Sequence, residues 1–119
     1  MAAPTDPLTG DALLEAVTDA MVALHERYYH RAPVSARTQL LDDEILACVM
    51  GGVYTEVEKT LIELEQTVTV QETRTVFQHA VERRFITAVE ELTHRHVRRF
   101  VPVHHVGPDL EIELFFLDR

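Results

Sequence analysis

The sequence predicts an α+β fold in the order α-β-β-α-α-β-β, with two antiparallel hairpins forming a sheet and helices packed on one face. Three observations carry this. Two pairs of β-prone runs are each joined by a short polar turn, the pattern of hairpins rather than of βαβ units. Around them run segments with apolar residues every three or four positions, the helical repeat. Two capping signatures, Thr55-Glu56-Val57-Glu58 and Thr69-Val70-Gln71-Glu72, open the second and third helices. A chain of 119 residues with 46% hydrophobic content suits one packed domain.

Residues 1–10, with Pro4, Pro7 and Gly10, read as a flexible leader, and 11–119 as a single domain. Asp11 can cap the first helix, whose stripe is Leu14, Val17, Met21, Leu24 and Tyr28. Pro33 disfavours helix in the residue before it, so this helix ends near His30. Arg37–Leu41 and Ile45–Met50 flank Asp42-Asp43-Glu44 as the first hairpin. The second of these runs is apolar throughout, as in a strand covered on both faces. Val57, Leu61 and Leu64 form the inward stripe expected of the second helix. The third is expected over residues 69–93, with Val70, Phe77, Ala80, Val81, Phe85, Ala88 and Leu92 inward. In the last hairpin the Val106-Gly107-Pro108-Asp109 loop sets Val103 against Ile112, Val101 against Leu114 and His104 against Glu111. Pro102 cannot donate to a ladder and assigns its strand to an edge or a bulge.

The charge is unevenly placed. Residues 1–73 hold 13 acids and 4 bases, whereas 74–119 hold 7 of each. A net charge of −9 opposes binding to phosphate backbones, so no nucleic-acid partner is expected. No apolar run approaches the ~18 residues of a membrane span, and no signal sequence opens the chain. A cytoplasmic location without direct membrane insertion is therefore expected. The single cysteine, Cys48, cannot form an internal disulfide and reads as a small buried hydrophobe.

Four stretches, in order, resemble the MpsC-type family. His25-Glu26-Arg27-Tyr28-Tyr29 with Arg31-Ala32-Pro33 is similar to its "hkeyyGrGP", and Tyr54 to Leu61 to its "LTkaErtL". Val89 to Val97 resembles "VEeltGrkV", and Leu114-Phe115-Phe116-Leu117 resembles "vFvL". His30, Ala32 and His94 stand where the family usually shows glycine, and Tyr54 where it shows leucine. Histidine for glycine at position 94 matters if the third helix ends there in a left-handed residue. The resemblance spans about residues 12–117. It implies a small bacterial domain associated, in some members, with a membrane-potential-generating system for sodium or inorganic carbon. It supplies no catalytic residues.

Candidate sites are few. Tyr28, Tyr29, Arg31 and Arg37, near Pro33 and Thr55, can line a small-anion or ligand pocket. Phe100, Pro102, Phe115 and Leu117 belong to the hairpin face opposite the Val/Ile/Leu stripe; a single helix layer leaves that face open as an interface. His94, His96, His104, His105 and Glu111 offer metal donors or a pH-sensitive surface. However, the two histidine pairs lie roughly 27–33 Å apart along an extended strand, so no metal site is expected within one chain. No nucleophile elbow or phosphate loop is present. The functional expectation is a non-catalytic interaction or regulatory domain without cofactor. It would act by self-association as a homodimer or by docking onto a protein of a membrane transport system. The alternative is a small-ligand or ion-binding sensor.

Overall fold

The computed structural model describes residues 8–104 and 106–119. The leader through residue 7, His105 and the His104 side chain lie outside the described residues. The order is α1 (Gly10–Tyr29), β1 (Ser35–Leu41), β2 (Ile45–Gly51), α2 (Glu56–Glu63), α3 (Thr67–Thr93), β3 (Val97–His104) and β4 (Leu110–Leu117). The strands form one antiparallel sheet in the order β1-β2-β4-β3.

Local chemistry accounts for the joints. α1 ends at His30 and α3 at His94, both left-handed, with φ of 59° and 57°. The first hairpin turns through Asp42 and Asp43, φ 50° and 57°, a conformation aspartate tolerates better than most residues. Glu44 N–H closes that turn on the Leu41 carbonyl at 3.0 Å. At Gly52, φ is +67° and a Cβ would fall 2.5 Å from Val34 Cγ2, so only glycine fits. The second hairpin has the expected register, pairing Val103 with Ile112, Val101 with Leu114 and His104 with Glu111. β3 is an edge strand and is irregular between Val97 and Arg99, consistent with Pro102 within it.

The helices start less regularly than expected. Thr9, not Asp11, precedes α1, without a side-chain cap. The Thr55/Glu58 capping box of α2 forms in full. The Thr69 signature does not: α3 starts two residues earlier, at Thr67 after Gln66, and has no side-chain cap.

Which sheet face is covered also departs from expectation. α1 and α3 lie on the face carrying Leu46, Cys48 and Met50 of β2 and Glu111, Glu113, Phe115 and Leu117 of β4, all buried. Phe115 is 0% and Leu117 1% exposed, so neither contributes to an exposed interface. Phe100 is half-buried and packs on Phe115, ring centroids 4.8 Å apart. Along β2, buried and half-buried residues alternate, so this strand is covered on one face rather than both. The half-buried set belongs to the other face: Ile45, Ala47 and Val49 of β2, with Ile112, Leu114 and Phe116 of β4 beside them. The hairpin has the expected parity with inside and outside exchanged, because both faces of β4 carry large apolar groups.

The buried helix stripes also differ from the expected ones. No residue of α2 is buried, and Val57 is 70% exposed; α2 leans on α3 through Ile62, which packs against the core. In α3 the buried positions are Val70, Arg74, Gln78, Val81, Phe85, Ile86, Val89 and Thr93. Phe77 and Ala80 are exposed.

Candidate functional site

Two polar residues of α3 and two acids of β4 occupy core positions, and a histidine of α1 meets them. His25, Arg74, Gln78, Glu111 and Glu113 are all buried. α1 supplies His25 one turn beyond Met21, on the stripe that buries Val17. Arg74 and Gln78 lie four residues apart on the buried line of α3. Glu111 and Glu113 share the strand parity of Phe115 and Leu117.

Arg74 organises one half of the cluster. Its Nε and Nη2 donate to the two carboxylate oxygens of Glu58 at 2.8 and 2.9 Å. Nη1 donates to Glu111 Oε1 at 2.9 Å, and Nη2 also to the Val53 carbonyl at 2.9 Å. The guanidinium stacks between Tyr29 and Tyr54, 4.9 and 5.2 Å from their ring centroids. Planar, bidentate and aromatic contacts together are arginine chemistry that lysine cannot reproduce. Glu58 is held in turn by the capping box, accepting from Thr55 N–H at 2.9 Å. Asp109 fixes the adjoining strand end by accepting from the Val53 and Tyr54 amides at 2.6 and 3.1 Å.

His25 organises the other half. Its Nε2 lies 3.1 Å from Glu111 Oε2 and 3.5 Å from Glu113 Oε2, although neither contact is an aligned N–H···O hydrogen bond. The ring stacks on Tyr29 at 5.1 Å and meets the edge of Phe85 at 5.4 Å. Burial alone disfavours the imidazolium, but the two carboxylates outweigh it and raise the His25 pKa to about 9. Burial pushes the Glu113 pKa upward, reinforced by Glu111 and opposed by His25. Burial also pushes the Cys48 thiol up to about 12, so Cys48 is an inert core residue.

Above this cluster a hollow of about 320 Å³ opens between α1, α2 and α3. Tyr28, Tyr29, Val57, Leu61, Val70 and Phe77 form its walls, with Glu58 and Arg74 also lining it. Of the four residues expected to share a ligand site, Tyr28 and Tyr29 meet here, with Thr55. Arg31 instead donates to the Gly52 carbonyl at 3.1 Å, and Arg37 is exposed on β1 beside a shallow depression that includes Glu15 and Asp19. Pro102 and Phe100 edge another depression, beside Gln78 and His79. The histidine segment does not converge among the described residues: His96 pairs with Glu90 at 2.9 Å and His94 caps α3.

Sequence reading missed His25, Arg74, Gln78, Glu111 and Glu113 as a group. The signal was present as polar residues at core spacing, 70-74-78-81-85 on α3 and 17-21-25 on α1. Acids alternating with apolar residues in β4 looked instead like a solvated face.

No curated protein and no solved structure matches the chain. The family model described as the Na+-translocating membrane potential-generating system (MpsC) matches residues 9–119, which takes in every element of the fold and every residue of the cluster. The chain therefore belongs to the MpsC family.

Proposed function

We propose that this domain is a non-catalytic interaction module that acts as a homodimer, closing the uncovered sheet face against a second copy. The observation that carries this is the composition of that face. Ile45, Ala47, Val49, Ile112, Leu114, Phe116 and Val101 are half-buried there, and Val103 is exposed. An antiparallel sheet with one solvated face normally turns polar residues outward. This one turns an apolar field outward, the usual mark of an association surface.

A second copy suits the face in size and charge. Strands ~4.8 Å apart and ~3.3 Å per residue give a face of roughly 19 by 23 Å. With side-chain relief, two such faces approach the ~1,200 Å² at which specific interfaces begin, and flat sheets pack face to face at ~10 Å. Arg37 and Arg99 rim the face, and the Asp42-Asp43 turn closes one end of it. A two-fold axis crossing β1 between Gln39 and Leu40 would set Arg37 of each copy over Asp42 on the other. Association then weakens with salt. The family description supplies the setting, a membrane-potential-generating system that such a dimer would serve as a protein partner.

Sedimentation equilibrium tests this reading. Wild type is expected to dimerise with a salt-sensitive constant, and Leu114→Glu to remain monomeric with an unchanged circular dichroism spectrum. A wild-type chain that stays monomeric at several hundred micromolar overturns it.

A second reading rests on the hollow beside Tyr28 and Tyr29, whose largely apolar walls and polar Glu58 and Arg74 suit a small, mostly apolar ligand. A thermal-shift screen in which Val57→Trp abolishes a specific stabilisation is the expected result for a sensor of that kind.

A further inference from the structure

We propose that His25, Glu111, Glu113 and Gln78 form a binding site for one divalent transition-metal cation of zinc's class, enclosed between α1, α3 and β4. This inference is independent of dimerisation.

Geometry comes first. One ligand atom from each of His25, Glu111 and Glu113 lies within 4.8 Å of the others. The closest separations, 3.1 and 3.5 Å from His25 Nε2 to the two carboxylates, match the spacing of neighbouring donors that each sit ~2.0–2.2 Å from a shared ion. The imidazole nitrogen approaches both carboxylates without an aligned hydrogen bond to either. Converging donors around a common point produce such an arrangement.

Unanswered polar atoms come second. The Gln78 amide faces the Glu113 carboxylate, yet both oxygens of Glu113 and both polar atoms of Gln78 are buried without a hydrogen bond of good geometry. Buried groups of this kind are costly to fold when left unanswered. A cation between them would use Glu113 directly and could accept the Gln78 carbonyl as a further ligand.

Charge is the third argument. The cluster holds two fully buried carboxylates, Glu111 and Glu113, and the Arg74 guanidinium, whose charge the half-buried Glu58 balances. A divalent ion beside a neutral imidazole brings this set to zero. One imidazole with two carboxylates is a donor set for zinc, cobalt, iron or manganese; magnesium and calcium prefer oxygen alone. The surroundings already orient the ligands: Arg74 holds Glu111, and Tyr29 and Phe85 fix the His25 ring.

The test uses the whole chain, refolded with one equivalent of Co²⁺ or Zn²⁺ because the site is enclosed. Wild type is expected to show visible Co²⁺ d–d absorption, to retain one Zn²⁺ per chain after gel filtration, and to melt at higher temperature than the metal-free protein. Glu113→Gln preserves the size of the side chain and is expected to fold while losing retention at least tenfold. The surface histidines provide an internal control. Signals that persist unchanged in Glu113→Gln come from elsewhere and overturn the proposal, as does a wild-type chain that retains no metal and shows no melting shift. Should Glu113→Gln not fold, Gln78→Leu replaces it, with weakened retention expected and unchanged retention contradicting the site.

Discussion

Arg74 Nη1 donates to Glu111 Oε1 at 2.9 Å with both side chains buried, joining the first third of the domain's longest helix to a central strand of its sheet. The same guanidinium holds both oxygens of Glu58 at the start of α2. Three elements, α2, α3 and β4, therefore share one cation.

Removing that cation leaves two carboxylates without their partner. Arg74→Met is expected to cost ~3–5 kcal/mol in urea unfolding, the usual penalty for breaking a buried ion pair from one side. Arg74→Lys is expected to recover only a minor part, since an ammonium cannot make the bidentate contact and reach Glu111 and the Val53 carbonyl together. Full recovery by lysine would show that charge alone is needed.

The metal-free protein, kept in chelator, is expected to lose stability as pH rises. His25 binds its proton more tightly when folded, so its contribution is complete below the unfolded value of 6.5 and is lost as pH passes through the folded value of about 9. That change corresponds to about 3 kcal/mol at ~1.36 kcal/mol per tenfold change in proton affinity. The raised pKa of Glu113 acts in the same direction. Denaturation midpoints measured from pH 6 to pH 9.5 should fall steadily, and His25→Gln should flatten the profile. A rising profile would mean that His25 is neutral in the folded state.

His30 and His94 hold left-handed backbone at the ends of α1 and α3, with φ of 59° and 57°, and both are exposed. Glycine adopts this conformation without the Cβ clash that costs other residues roughly 1–2 kcal/mol. Each substitution to glycine is expected to stabilise the domain by about 1 kcal/mol, roughly additively because the two sites are separate. Differential scanning calorimetry of the two single variants and the double variant checks this. A lowered melting temperature would show that the imidazoles contribute more than the backbone strain removes.

The glycine substitutions also show what could be read from sequence. The seven elements, the hairpin register and the left-handed end at position 94 follow from local signals: capping residues, turn chemistry and strand parity. The buried cluster does not, because its logic is pairwise. A lone Arg74 in a helix reads as solvated, and Glu111 and Glu113 in a strand read as an outer face. Only three-dimensional pairing makes those positions neutral enough to bury. The covered face of the sheet was ambiguous for a related reason. Leu114 and Phe115 are adjacent and both apolar, and the choice between their faces depends on where the His25 and Arg74 helices dock.

That choice is itself testable. Phe115 is fully buried beneath the helices, and truncation to alanine leaves a cavity, with an expected cost of ~3–5 kcal/mol. Leu114 stands on the uncovered face and is half-buried. At concentrations low enough to keep the chain monomeric, Leu114→Ser is expected to cost about 1 kcal/mol or less. Raising the protein concentration should then stabilise wild type and leave Leu114→Ser unmoved, since burial in a second copy adds stability by mass action. If Leu114→Ser proves as damaging as Phe115→Ala in dilute monomer, the helices cover the opposite face and the packing described for this sheet is inverted.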